Sequence, residues 1–463
     1  MDRSDVIVIG AGISGLATAR WLEQRGLTVF VLEAGLRAGG TIGTTRDSGF
    51  LVEAGPNSAL DSTPLIGELL NGLGIAAERV EANSAARNRY VVRDGRLIPL
   101  PLTPPAFLAT ALFSWRAKLA LAREPFIAAA PADAEESVAQ FVRRRLGAEF
   151  LDFAVDPFVS GVYAGDPETL SLRAAFPRLH ALESRYGSLI RGQILGARER
   201  ARSGENSKRS AAMFSFRNGM QTLTDVLADR LDSLIVGAEV TRIEPRNAHG
   251  FMVTALKAGS EARFEAGAVV VATPAYAAAR LVAPFAPTAA AALEAIAYPP
   301  VAVCACAYPR AAVEHPLDGF GVLIPRREQR AVLGTIFSST LFPGRAPVGG
   351  VLLTTFVGGA RNPERALQTD QAVAATVQGE LAGLLGAKGP PEFIRIRRWP
   401  QAIPQYTLGH LQRISEVERT EQDRPGLFFC ANYRGGVAVG DCVKSAATTA
   451  DRVVKTLGQQ VSA

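Results

Sequence analysis

The 463-residue chain is 48% hydrophobic and 20% charged, which is the composition of a folded globular protein too long for one hydrophobic core. Its net charge is +6 and no Arg/Lys stripe interleaved with aromatics occurs, so nucleic-acid binding is not expected. The four histidines lack metal-ligand spacing and the four cysteines form no CxxC, so neither a metal site nor a redox pair is expected.

Asp2-Arg-Ser-Asp5 leads directly into an apolar run with no cleavage pattern, so no signal peptide is expected. Val6-Ile-Val-Ile-Gly10 reads as a buried parallel strand, Gly10-Ala11-Gly12-Ile13-Ser14-Gly15 follows it, and residues 16–25 have helical composition. Thr28-Val-Phe-Val-Leu32 is a second strand that ends on Glu33. Strand, glycines, helix, strand and terminal acid arrive in that order within about 30 residues, the context that makes GxGxxG a dinucleotide fingerprint. Gly10 permits the tight turn, Gly12 lets the backbone approach a pyrophosphate, and Gly15 lets the helix pack against the strand. The helix start offers unpaired N–H groups to phosphate oxygens, and Glu33 is placed to accept from ribose hydroxyls.

Glu33-Ala34-Gly-Leu-Arg37-Ala-Gly39-Gly40-Thr41 resembles the second glycine signature of the amine-oxidase-like flavoproteins, which distinguishes FAD from NAD. Phe50-Leu-Val-Glu-Ala-Gly55-Pro56-Asn57-Ser58 resembles the loop running beneath the flavin in that superfamily. Residues 60–90 read as a helix and short strands. Residues 98–115 are uncharged, but Pro99, Pro101, Pro104 and Pro105 exclude a spanning helix. Across 107–123 the pattern predicts one amphipathic helix, with Phe107, Leu108, Ala111, Leu112, Trp115 and Leu119 on one face beside Arg116 and Arg123. Core packing and membrane contact fit that face equally. Loop and turn chemistry is expected over 156–172, helices to about 202, and an exposed polar loop over 203–210.

A helix is expected around 223–231, and a strand over 236–244 whose Val240 resembles the residue laid along the adenine in two-dinucleotide-binding-domain flavoproteins. Another strand is expected over 268–274. Cys304 and Cys306 fall on one face of a buried strand by period two. Residues 297–398 read as apolar strands with one helix near 370–385, a mixed-sheet substrate domain. Gly426-Leu-Phe-Phe-Cys-Ala431 and the glycines after it precede a helix from Asp441 onward, so the FAD domain is discontinuous.

Six segments then carry a fuller resemblance: 10–15, Val159-Ser-Gly161-Val-Tyr-Ala-Gly-Asp166, Gly319-Phe-Gly-Val-Leu323-Ile-Pro325, Val332-Leu-Gly-Thr-Ile336, Trp399-Pro-Gln-Ala-Ile-Pro-Gln-Tyr-Thr-Leu-Gly-His410, and Ala431-Asn-Tyr-Arg-Gly-Gly-Val437-Ala438-Val439-Gly440. Over nearly its whole length the chain resembles the oxygen-dependent protoporphyrinogen/coproporphyrinogen oxidase family. The resemblance implies an α/β (α+β mixed) fold with a Rossmann-like FAD domain (1–90, 207–295, 399–463), a mixed-sheet substrate domain (161–206, 296–398) and a helical membrane-associating subdomain (91–160). It implies that Trp399, Val437, Ala438 and Val439 contact the flavin. Leu323, Ile336 and Phe356 would sandwich a tetrapyrrole against Gly161. It also implies a porphyrinogen as substrate, O₂ as acceptor, no catalytic side chain beyond the flavin, and His410 in a structural role.

Several relatives place an arginine where this chain has Asn57, which can hydrogen-bond a propionate but not neutralise it; Arg89 is the candidate cation. Coproporphyrinogen III oxidation, an amine or carotenoid oxidoreductase and a non-catalytic flavin-binding scaffold stand as alternatives. The resemblance further implies a cytoplasmic enzyme peripheral to the cytoplasmic membrane, as a homodimer or handing product to a metal chelatase.

Overall fold

The computed structural model describes residues 2–131, 134–203, 211–246 and 250–461. The branched apolar runs form a parallel sheet in the order Leu234–Val236, Val29–Glu33, Asp2–Ile9, Ser260–Val271, Leu427–Phe429. The central strands, buried on both faces, need near-continuous apolar sequence, and Val6–Ile9 and Ala268–Val271 have it. Ser260–Val271 is long enough to serve twice. Its second half lies between Asp2–Ile9 and Leu427–Phe429, while its first half starts an antiparallel meander with Phe251–Lys257 and Ala238–Pro245. The strand expected over 236–244 is therefore two strands in different places, broken at Gly237, whose φ of +67° turns the chain. Helices Ile13–Glu23 and Val439–Val461 cover one face. Helices Ala275–Val282, Pro287–Glu294 and His410–Asp423 cover the other.

A second sheet runs Phe393–Trp399, Val301–Pro309, Gly350–Gly358, Val332–Ile336, Gly319–Leu323, Asn88–Arg93, Arg96–Pro99. It is antiparallel except where Gly319–Leu323 meets Asn88–Arg93. The expected boundary at residue 90 thus falls inside a strand of this sheet. Cys304 and Cys306 share one face of Val301–Pro309, fully buried with sulfurs 3.7 Å apart, where Asp370–Leu385 packs over the sheet.

The helices between residues 104 and 196 form one unit that runs past residue 160: Leu112, Phe141, Phe153, Val159, Leu172 and Leu189 share an apolar cluster. The segment 156–172 is not all loop, because Asp156–Tyr163 is a helix; it runs on without a break from the wide turn Leu151–Val155, which takes Pro157 into a helical stretch. Fully buried Arg145 fastens the unit, donating to Ile127 O (2.9 Å) and to the Glu183 carboxylate (2.5 Å); Glu124 accepts from Leu189 N at 2.8 Å.

The helix expected over 107–123 is broken in two, Pro104–Ala109 and Trp115–Ala122. Lys118, which by helical spacing falls inside the apolar stripe of 107–123, reaches back to cap the first piece through Leu108 O (2.8 Å) and Thr110 O (2.7 Å). The break rotates the second piece, so Leu112 and Phe113 enter the core while Leu108 (55% exposed), Trp115 (64%) and Leu119 (67%) face outward with Phe126 (82%). No described helix is long and apolar enough to cross a membrane. Of the polar stretch 203–210, all but Ser203 lies outside the described residues.

Candidate flavin and substrate site

The two glycine signatures meet at the C-terminal edge of the parallel sheet. Gly39 N donates to Ala11 O at 2.7 Å, Gly12 bridges Gly39, and a Cβ on Gly40 would stand 3.2 Å from the Gly12 Cα. Gly10 holds φ +101°, and a Cβ on Gly15 would lie 2.0 Å from Gly10 O, so helix and strand touch backbone to backbone. Gly12 behaves differently: nothing lies within 4 Å of its missing Cβ, and no side chain caps the helix it begins. Smooth backbone, open space and free amides at Ile13 and Ser14 fit a pyrophosphate.

Glu33 is oriented by accepting from Ala11 N and Gly35 N, each at 2.7 Å, which leaves each oxygen further acceptor capacity. Ala34 and Thr41 are exposed beside it. Arg37 braces the Gly39–Gly40 turn through Ala38 O (2.8 Å) and Ile42 O (2.9 Å). Val240 is the third residue of Ala238–Pro245, which follows directly on Val236, paired with Glu33, and Gly237, whose N donates to Gly35 O. These residues form one continuous cradle, which fits the ADP half of FAD.

The second cluster surrounds the loop 55–58. Trp399 Nε1 donates to Ala54 O at 2.7 Å, and a Cβ on Gly55 would strike Thr41 O at 2.2 Å, so the loop is pinned from both sides. The Asn57 amide turns back onto Gly55 O at 3.3 Å; Pro56 and Ser58 are partly buried. The segment 437–439 arrives from the far end of the chain, with Gly440 against Ser62 and Leu60 O. Ala438 is exposed and Val439 buried.

Sequence reasoning missed the buried polar group beneath this loop. Glu53 accepts from Met220 N (2.9 Å) and the Thr44 hydroxyl (2.6 Å) and lies 3.4 Å from Arg345, whose guanidinium also donates to Ser215 Oγ at 2.5 Å. Burial pushes the Glu53 carboxyl up, opposed by Arg345, Thr44 and the Met220 amide, and the same burial pushes Arg345 down. An acid inside the apolar run Phe50–Glu53 was a visible signal, but Arg345, in an irregular segment far along the chain, carried none.

The third cluster lies on one face of the second sheet. Leu323 pairs with Gly334, Gly334 with Phe356, and Ile336 with Gly321, so period two puts Leu323, Ile336 and Phe356 on the same face. Arg89 pairs with Gly321 and shares it. Its guanidinium is exposed, 5.8 Å from the Phe320 ring, and no carboxylate among the described residues pairs with it. Gly161 stands opposite: a Cβ there would come within 2.6 Å of Leu323 Cδ2. Phe356 and Trp399 pack on one cluster with Val301 and Val303, which joins this face to the flavin loop.

His410 is buried, with Nε2 3.0 Å from Tyr433 O, and burial pushes it down to about 4. A neutral ring bound to a backbone carbonyl is a structural element.

This arrangement is that of a flavoprotein oxidoreductase that holds FAD, and the chain belongs to the flavin containing amine oxidoreductase family, which it matches over residues 13–454. Within that family it falls with the protoporphyrinogen oxidases. It is 36% identical to the chloroplastic protoporphyrinogen oxidase of Nicotiana tabacum (98% of this chain, 86% of the relative) and 34% identical to protoporphyrinogen oxidase 2 of Arabidopsis thaliana (98% and 94%). The coproporphyrinogen III oxidase of Bacillus subtilis is 28% identical over 95% of this chain and 96% of its own. A solved structure from Exiguobacterium sp. 255-15 shares the fold, at TM-score 0.81 and 24% identity over 99% of both chains.

Proposed function

We propose that the protein oxidises protoporphyrinogen IX to protoporphyrin IX in three two-electron rounds, with O₂ as acceptor, in haem biosynthesis. The observation that carries this reading is an apolar face continuous with the flavin loop and edged by Arg89 and Arg397, neither of which pairs with a carboxylate among the described residues. When bound, FAD supplies the acceptor for a hydride leaving a bridging carbon of the macrocycle and passes the electron pair on to O₂.

The side chains do the positioning. Leu323, Ile336 and Phe356 offer the non-polar floor that a disc-shaped substrate needs, and Gly161, which packs directly on Leu323, bounds it on one side. Trp399 holds the loop 54–58 at the end of that floor nearest the cofactor. Arg89 is placed to pair with a propionate, while Asn57 offers an amide on the other side. Leu323, Ile336, Phe356 and Gly161 carry no acid or base, so the proton lost from the macrocycle in each round passes to solvent, which returns one as O₂ takes the electron pair and becomes H₂O₂.

Relatives that are coproporphyrinogen III oxidases favour a second reading, in which the substrate carries four propionates. Mixing each anaerobically prepared porphyrinogen with enzyme in air-saturated buffer, and subtracting the rate without enzyme, separates them. Faster porphyrin formation from protoporphyrinogen supports the first reading, and a preference for coproporphyrinogen overturns it. In the same reading the enzyme is cytoplasmic, and Leu108, Trp115, Leu119 and Phe126 rest on the cytoplasmic membrane with Arg116 and Arg123 toward anionic headgroups. A homodimer or a hand-off to the chelatase that consumes the product is compatible with that placement.

A further inference from the structure

The segment 402–410 is the most distinctive string in the sequence, yet it supplies neither a floor residue nor a base. Its geometry gives it another task. The Tyr406 hydroxyl donates to Asn432 O at 2.6 Å and accepts from Gly436 N at 3.0 Å, thereby bonding both ends of the turn 432–436. The Tyr406 ring stacks on His410 with centroids 4.2 Å apart and planes 12° apart, and His410 Nε2 donates to Tyr433 O between those two ends. Gly435 and Gly436 hold φ of +82° and +126°, so this turn has no regular backbone ladder to define it. Immediately beyond it come 437–439, and Val437 packs on the same apolar cluster as buried Tyr406.

We propose that Tyr406 is a positioning residue for the flavin, its hydroxyl clamping the turn 432–436 so that 437–439 are held against the cofactor. This rests on the reading that 437–439 touch the flavin. The clamp is itself anchored in the helical unit: Ser171 N donates to Tyr406 O at 2.8 Å and Leu408 N to Thr169 O at 2.9 Å. A single hydroxyl therefore connects the helices that carry Gly161 to the cofactor loop.

The test is Tyr406→Phe in the holoenzyme, which keeps the ring and its stack and removes only the hydroxyl. FAD release on dilution should accelerate about tenfold, the loss of one to two buried hydrogen bonds. The visible circular dichroism of the bound flavin should change, and kcat should fall several-fold with KM nearly constant. A lowered Tm with unchanged FAD release and dichroism would make Tyr406 merely structural and overturn the proposal. Hydrogen exchange of the unmodified holoenzyme covers the case in which the variant does not fold: the Gly436 amide should be strongly protected, and exchange at the rate of an open loop refutes the clamp. Ala438→Val separates the underlying reading. A flavin spectrum indifferent to that substitution means that the loop does not touch the flavin. A spectrum sensitive at 438 but indifferent to Tyr406→Phe refutes the clamp alone.

Discussion

Two glycines three residues apart in one motif should fail in opposite ways. An alanine Cβ at Gly15 would stand 2.0 Å from Gly10 O, well inside a van der Waals contact of roughly 3.5 Å, and the opposing atom is backbone. Helix and strand must separate, at a cost of about 1–3 kcal/mol or more. Gly15→Ala should therefore lower the Tm of FAD-free protein by roughly 1–3 °C. At Gly12 the backbone is extended (φ −73°, ψ 174°), a conformation alanine adopts freely, and its Cβ meets no protein atom. Gly12→Ala should leave the stability of the FAD-free protein within about 1 kcal/mol of the parent. The new methyl would occupy the space where a pyrophosphate must approach the backbone, so FAD affinity should fall about a hundredfold, or about 2.7 kcal/mol. Thermal melts with and without FAD, flavin absorbance per mole of purified protein and a fluorescence titration measure both quantities. A Gly12→Ala protein with its full flavin complement, or a Gly15→Ala protein as stable as its parent, would refute this reasoning.

Phe356→Ala removes an aromatic face worth a few kcal/mol when covered, roughly; KM should rise with flavin content unchanged, and loss of FAD instead would assign Phe356 to the core. Asn57→Arg should be tolerated or improve KM for a propionate-bearing substrate, and steady-state assay decides. Leu108, Trp115 and Leu119 changed to polar residues should release the protein from anionic liposomes at unchanged Tm, whereas including buried Leu112 should unfold it; unchanged flotation would refute the membrane face. His410, at about 4 in the fold against an ordinary 6.5, is protonated first in the unfolded chain. Its contribution to stability is therefore complete above pH 6.5 and lost as the pH falls toward 4, and His410→Gln should flatten that part of a Tm–pH curve.

What was legible in the sequence follows from how local each signal is. The βαβ unit was readable because strand, turn glycines, helix and acid are contiguous and each has its own chemical reason. The amphipathic helix was misread because periodicity assumes an unbroken axis. Lys118 inside the apolar stripe marked the fault, and only the structure shows that it caps a helix ending at Ala109. Asp156-Pro157 read as a breaker, but the wide turn Leu151–Val155 before it carries the helical stretch through the proline. The pair Glu53–Arg345 and the bonds of Tyr406 to Asn432 and Gly436 join remote segments, and no window on the chain contains them.

The double use of Ser260–Val271 sets the order in which the molecule can be built. Asp2–Ile9 is synthesised first, but its parallel neighbour on that side follows only after more than half the chain, and Leu427–Phe429 must then pair along the same strand. During translation the opening strand waits with one edge unpaired, a surface prone to association until its partner arrives. The glycine cradle closes earlier than the loop 437–439, so nascent chains would hold the nucleotide end of FAD before the flavin end has a wall. Cells short of FAD should therefore accumulate chains arrested at that stage, and riboflavin supply during expression should raise the soluble yield, not merely the colour.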